Sequence, residues 1–469
     1  MGGTLNRIIL FLSIFVMSFT ATANDLDKWA DSQYQISVVK LLKNVSPDGA
    51  GKGAVIASPS RREPDYWFHW VRDGALVMDV VLQMYKNNKQ ETARAYFLNH
   101  LLDFVKFTRI NQNSYSPVDL GEPKYFVDGR AYDGPWGRPQ NDGPALRART
   151  LIKFAEVLLS EGKTKYVREH LYDNDPRKSV IKRDLEYVAH NWYLPSFDLW
   201  EEVKGQHFYT LMVQAVSLLE GADLAIALGD SGAGTFYRRQ AELINQRIRE
   251  HYSTGNPFIV ENMHRVEGLN YKHSGLDTAT VLAFLHSSGR YVSNYANSYL
   301  LSTIKNIEAQ FDAIYPINNV RKSGKHALAS SFGRYPEDQY FGGNPWFLTS
   351  LAIAEHHYVL ATQMKHNPKD LLIDAVNRDF YNALLGLNGN KSIQAGARID
   401  SRSQFYQVVR QALKAKADAI FARVRHHAGR DGSLDEQLDR QTGYMLSARD
   451  LTWSYASYIT AYWMRNLAR

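Results

Sequence analysis

At 469 residues, with 45 % hydrophobic and 22 % charged side chains, the chain has apolar material for a sizeable packed core, and this composition excludes a disordered or low-complexity protein. Its formal net charge of +7 is modest for the length and is not gathered into a basic arm, so nucleic acid is not indicated as a partner. It contains no cysteine, which excludes a disulfide framework and any thiolate metal or redox site.

In chain order, residues 1–23 read as a secretory signal: Arg7 opens a short basic region, an apolar run follows from Ile8 to Phe19, and Ala21-Thr22-Ala23 forms a small-x-small cleavage site. The apolar run is shorter than the roughly 20 residues of a membrane span, so cleavage is expected, with no membrane association afterwards. A secreted or periplasmic product follows, and the absence of cysteine in an exported chain favours a bacterial exporter. From Trp29 onward apolar residues recur at helical spacing and period-2 strand patterns are scarce, so residues 24–469 are expected to form a single all-α domain of roughly twelve or thirteen helices. Helices are expected over Asp142–Ser160, Gly205–Leu228 and Ser403–His426. Asp277 is expected to cap a helix ended by Gly289. Asn344 with Pro345 opens another over Trp346–Met364, and Ser447-Ala448-Arg449-Asp450 matches a capping box opening the last.

The connections between these helices are rich in aromatics, Gly, Pro and paired charges, as a binding site would be: 57–73, 119–143, 194–205, 332–344 and 429–447. Asp198-Leu199-Trp200-Glu201-Glu202 carries three carboxylates beside an indole, read here as a helix entrance. Neighbouring carboxylates repel, which raises the pKa of one of them as a general acid requires. The same cluster taken alone is also what a helix's first turn looks like, where acids favour the dipole. A second cluster, Asp435-Glu436, lies before the last helix and reads equally as a solvated loop. Glycoside hydrolysis needs two carboxylates across one bond. Tyr66 to Asp73 and Trp136 to Asp142 mix indoles with Arg-Asp pairs, suited to a sugar's flat face and hydroxyl rim, or else to anchoring a loop.

Five separated segments together resemble the fungal-type glucoamylases, glycoside hydrolase family 15. They are Ala57-Ser58-Pro59-Ser60 with Trp70-Val71-Arg72-Asp73; Leu120-Gly121-Glu122-Pro123-Lys124 with Trp136 to Arg147; Asp198 to Val203; Gly333 to Asp338 with Gly342 to Phe347; and Ser447 to Tyr455. They follow the family's order and cover most of the chain from about Trp29 to Arg465. The resemblance implies an (α/α)6 barrel with a loop-lined pocket at one end. It implies an exo-acting, inverting glucan 1,4-α-glucosidase that releases β-glucose from the non-reducing ends of starch, glycogen or maltodextrins, with some α-1,6 activity. Glu201 corresponds to the general acid and Glu436 to the general base. Tyr66, Trp70, Arg72, Asp73, Trp136, Asp198, Glu202 and Arg334 correspond to substrate-binding positions. The loop between Asp435 and Ser447 departs most from the family pattern. No starch-binding domain is expected, nor any cofactor or metal, and a monomer is the default. No zinc-protease, serine-hydrolase or phosphate-loop motif occurs, and Gly229-Asp230-Ser231-Gly232 reads as a helix end. His356-His357 and His426-His427 face different ways on helices and do not read as metal ligands. The alternatives are a related helical-barrel glucosidase (a trehalase or glucodextranase) and a catalytically silent α-glucan-binding protein.

Overall fold

A computed structural model describes residues 20–252, 254–320 and 328–469. Residues 1–19, which carry most of the expected signal, lie outside the described residues. The long helices are α1 (Thr20–Lys43), α2 (Val71–Asn87), α3 (Glu91–Asn113), α4 (Asp142–Ser160), α5 (Val180–Asn191), α6 (Phe208–Ala227), α7 (Ser231–Glu250), α8 (Ala279–His286) and α9 (Ser298–Ile314). They continue with α10 (Phe347–His366), the short α11 (Arg378–Leu384), α12 (Gln404–His427) and α13 (Thr452–Ala468).

Packing sorts these helices into two rings. α2 packs on α4, α4 on α6, α6 on α8, α8 on α10, α10 on α13, and α13 returns to α2, closing an inner ring. Each inner helix is backed by an outer one: α2 by α3, α4 by α5, α6 by α7, α8 by α9, α10 by α12 and α13 by α1. The architecture is the (α/α)6 barrel. Sequence dictates the layers. α6 is buried on nearly every face, from Phe208 to Leu218 without a break. It is apolar and long enough to pass for a membrane span, but this face meets neighbouring helices. α7 buries only Gly234, Tyr237, Ala241, Ile244 and Ile248, the single stripe of an amphipathic outer helix. Ion pairs tie the layers, as where Arg147 of α4 grips Asp184 of α5 through two hydrogen bonds of 2.8 and 2.6 Å, both side chains fully buried.

The barrel has a consequence for the site. The segments 57–70, 119–141, 194–207, 332–346 and 433–451 each run into the N-terminus of an inner helix, so the catalytic-looking loops gather at one end of the ring. Short antiparallel pairs stiffen them: β1 (His69–Trp70) with β2 (Lys124–Tyr125), β3 (Ser196–Phe197) with β4 (Val203–His207) and β5 (Asn262–Gly268), and β6 (Gln437–Leu438) with β7 (Met445–Leu446).

The expected bounds of α4 and α12 hold to within a residue, and Ser403 caps α12 by accepting from Tyr406 N. Asp277 accepts from Ala279 N at 2.8 Å, at the start of a helix that ends at His286. Asp230 caps α7 rather than only closing α6. Three local readings are overturned by tertiary partners. Asn344 does not cap α10; its amide binds Phe341 O and Gln437 Oε1. Ser447 does not cap α13, because its hydroxyl donates to Glu436. Asp198 to Glu202 is a tight turn into β4, not a helix entrance.

Candidate active site

The gathered loops enclose a cavity of about 600 Å³. Tyr66, Trp70, Arg72, Asp73, Trp136, Glu201, Glu202, Arg334 and Glu436 all line it, from five separate segments. Asp198 does not: it is fully buried behind the wall. There it accepts from Glu202 N at 2.8 Å, Val203 N at 3.2 Å and Lys272 Nζ at 3.0 Å. Burial would raise its pKa, but Lys272 and His207 hold it down to about 2. Its placement is that of a residue that shapes the turn, and the cavity does not bring it together with the other expected substrate contacts.

The turn it shapes carries Glu201. Glu201 N bonds Asp198 O and Asp198 N bonds Val203 O, each at 2.9 Å. Glu201 itself sits at φ +69°, a left-handed conformation costing a non-glycine residue on the order of 1–3 kcal/mol that the surroundings must impose. The imposing element is a buried ion triad, with Lys272 Nζ 3.0 Å from Asp198 and 2.7 Å from Asp277, all three essentially without solvent contact. Asp277 also receives Trp200 Nε1 at 2.9 Å. We expect Lys272→Met to cost about 3–5 kcal/mol in a denaturant titration, because it strands two buried carboxylates. A loss under about 1 kcal/mol, the range of exposed pairs, would contradict this role.

Around Glu201, Trp70 Nε1 donates to Oε1 at 2.7 Å and Arg72 Nη2 approaches the same oxygen at 3.4 Å. Burial raises the Glu201 pKa, opposed by Arg72, Gln140, Trp70 and Lys124. Arg72 is fixed by Gln140 Oε1 at 3.1 Å, Asp142 Oδ2 at 3.0 Å and Asp73 at 3.7 Å. Burial pushes Asp73 up to about 6 against the pull of Arg72. On the other wall Glu202 accepts from Arg334 Nη2 at 2.8 Å and Tyr335 OH at 2.5 Å, while Asp338 chelates Arg334 through Nε and Nη2.

Glu436 stands at the start of the β6–β7 hairpin, where its N–H bonds Ala448 O at 2.9 Å. Gln437 Nε2 donates to Oε2 at 3.0 Å, and Ser447 Oγ donates to the same oxygen from the far strand end. Burial pushes Glu436 up to about 7, with Ser447, Tyr66, Gln437 and Arg334 all working the other way.

The aromatic residues form a continuous lining. Tyr66 packs on Trp70 at 5.3 Å and Trp70 on Trp136 at 5.8 Å between ring centres. Trp453 lies under Arg72, 5.9 Å from its guanidinium carbon. Lys124 was not foreseen as part of the site. Its Nζ lies 3.6 Å from the Trp136 ring centre and within 4.8 Å of those of Phe68, Tyr132 and Trp70. Burial lowers it to about 8, against the attraction of Glu201. Two of the rings, Phe68 and Trp70, lie more than fifty positions from it; the motif Leu120 to Lys124 contains this lysine but does not by itself give it a role. Among the described residues no group of His, Asp and Glu is placed to hold a metal ion, and His356 and His357 are buried with lowered pKa values, each bonded to a backbone oxygen.

The family model for glycosyl hydrolases family 15 matches residues 33–463. A glucoamylase of Blastobotrys adeninivorans is 37 % identical over 463 residues, 95 % of this chain and 73 % of the relative. Glucoamylase 1 of Rhizopus oryzae is 36 % identical, over 95 % of this chain and 72 % of its own length. Among solved structures, the family 15 glucoamylase of Hypocrea jecorina superposes with a TM-score of 0.85 at 31 % identity, over 94 % of this chain and 72 % of that one. The glucoamylase of Saccharomycopsis fibuligera gives 0.84 at 30 % identity, over 94 % and 96 %.

Proposed function

The chain belongs to glycosyl hydrolases family 15, and from that premise we propose the residues and steps by which it works as a glucan 1,4-α-glucosidase, releasing glucose from the ends of α-glucans. One observation carries the assignment: Glu201 and Glu436, more than two hundred positions apart in sequence, line one aromatic pocket beside two Arg-carboxylate pairs. The pocket has a floor. We place it at Leu451 and Trp453, which line the cavity at the head of an inner helix; a pocket closed there would take a chain end and not a chain middle, as exo action requires.

In the proposed reaction the terminal glucose lies against Tyr66, Trp70 and Trp136, with its hydroxyls on Arg72 and Asp73. Glu202 and Arg334 bind the following unit. Glu201 gives its proton to the leaving glycosidic oxygen as the anomeric C–O bond breaks. A water oxygen attacks the anomeric carbon from the opposite side, and its proton passes to Glu436. The product is β-glucose and a shortened chain. A silent binding protein would have no use for two carboxyls from distant segments lining one pocket. Incubation with maltoheptaose tests the exo reading: glucose and maltohexaose are the expected first products, and early maltotriose or maltotetraose would contradict it.

The Ser447 hydroxyl has a proposed role too. By donating to Glu436 it favours the carboxylate that a base must be, so it lowers that group's pKa. Ser447→Ala is expected to raise it and move the acidic limb of the kcat/KM profile to higher pH. An unmoved or lowered limb would contradict the assignment.

We also propose that residues 24–469 act as one catalytic unit and that the chain is exported. In α1, Asp25 pairs with Arg425, Asp27 with Arg465 and Asp31 with Tyr462. Cleavage after Ala23 would leave all of these intact. The relatives named above are fungal, so a bacterial exporter gains no support from them.

A further inference from the structure

Behind Trp453 lies a second cavity, of about 610 Å³, running along the axis of the inner ring. All six inner helices contribute to it, and it opens to solvent at the opposite end from the glucan pocket, between Lys86, Arg290 and Leu467. Trp453 lines both cavities, so one indole is the partition between them. His286 packs on its inner side at 5.9 Å, held by the Tyr209 hydroxyl at 2.8 Å.

The walls of this shaft are not those of a packing void, which would be apolar and dry. Arg149 pairs with Glu220 at 2.9 Å, and Lys153 pairs with Asp79 at 2.9 Å. These pairs cancel in charge while leaving polar groups in the lining. Glu355 is different. It lines the shaft, accepts from Thr460 Oγ1 at 2.6 Å, and has no ion-pair partner among the described residues. Burial, opposed by Thr460, pushes it up to about 7. At mildly acidic pH it is therefore a neutral carboxyl able both to donate and to accept. Two indoles, Trp453 and Trp463, complete the lining. Paired charges, a neutral carboxyl and aromatic rings suit hydroxyl groups on a compact apolar frame. A metal cation is disfavoured by Arg149 and Lys153 in the same walls, and an anion by Glu355, Glu220 and Asp79.

We infer that the axial cavity is a second binding site, for a small neutral polyol of monosaccharide size, formed by Glu355, the Arg149–Glu220 and Lys153–Asp79 pairs and the rings of Trp453 and Trp463. D-glucose, the product of the proposed reaction, and glycerol share this chemistry. Binding itself does not depend on hydrolysis, so the inference and the proposed function fail separately.

The test is the stoichiometry of D-glucose binding to the whole protein by calorimetry, with hydrolysis of maltoheptaose followed in parallel. The wild type is expected to bind two molecules. Asp73→Asn, which disables the glucan pocket, is expected to bind one. Ser457→Phe, which fills the shaft from α13, is also expected to bind one, with kcat/KM on maltoheptaose unchanged. Glu355→Leu gives a second route to the same loss should the larger side chain disturb the fold. Glycerol competing only for the site that Ser457→Phe removes would assign the shaft to polyols generally; no competition there would assign it to glucose. One molecule bound by the wild type, or two retained by both shaft variants, would overturn the inference.

Discussion

Glu201→Gln is expected to lower kcat on maltoheptaose by about 10²–10⁴-fold while leaving KM little changed, because it removes a proton donor without altering shape. The amide oxygen still accepts the Trp70 indole N–H that now reaches Glu201 at 2.7 Å, so the turn and its left-handed residue stay in place. What is lost is the proton for the leaving oxygen. The loss should therefore depend on the leaving group. α-Glucosyl fluoride, whose fluoride departs without protonation, should be hydrolysed far better by the variant, relative to wild type, than maltoheptaose is. An equal loss on both substrates would mean that Glu201 does not act as the acid. Its surroundings match the assigned task in part only. Burial keeps the proton on, while Arg72 and Lys124 draw it off, so the carboxyl is poised rather than locked.

Glu436→Gln is expected to produce a loss of the same order, about 10²–10⁴-fold in kcat, but with the opposite substrate dependence. Water still has to be deprotonated whichever group leaves, so α-glucosyl fluoride should not rescue it. Rescue by the fluoride to the same extent as for Glu201→Gln would exchange or erase the two roles. The pH profile gives an independent check. Base action needs the ionised form, and burial pushes Glu436 up to about 7. Activity should therefore fall as the solution is acidified through the pKa of this carboxyl, and Ser447→Ala should bring that fall in at higher pH.

Much of this was legible in the sequence, for reasons that differ by residue. The helical stripes of α4 and α12 are local properties of side-chain spacing and survive into the fold nearly unchanged. Glu201, Glu436, Arg72 and Trp136 were reached through the run of motifs that resembles family 15. Composition alone left each acidic cluster with an ordinary structural explanation. What stayed hidden depends on contacts between distant segments. Lys272 meets Asp198 across 74 positions, and nothing in the Asp198 segment marks it as a buried anion rather than a ligand contact. Ser447 fits a helix-capping pattern, yet the β6–β7 hairpin carries its hydroxyl to Glu436, and a charge-assisted bond in a buried site outweighs a cap. Asn344 was misread in the same way, its amide going to Gln437 beside the base. In both cases a local capping rule is overridden by a partner brought in from elsewhere in the chain, Glu436 for Ser447 and Gln437 for Asn344.

The central claim is that Glu201 and Glu436 work from opposite faces of the anomeric carbon. Proton NMR of the first glucose released from maltoheptaose tests it most directly, recorded before mutarotation equilibrates the anomers. The β anomer should appear first and drift toward the equilibrium mixture. The α anomer appearing first would mean retention, and with it a covalent or otherwise different chemistry at this pair of carboxyls.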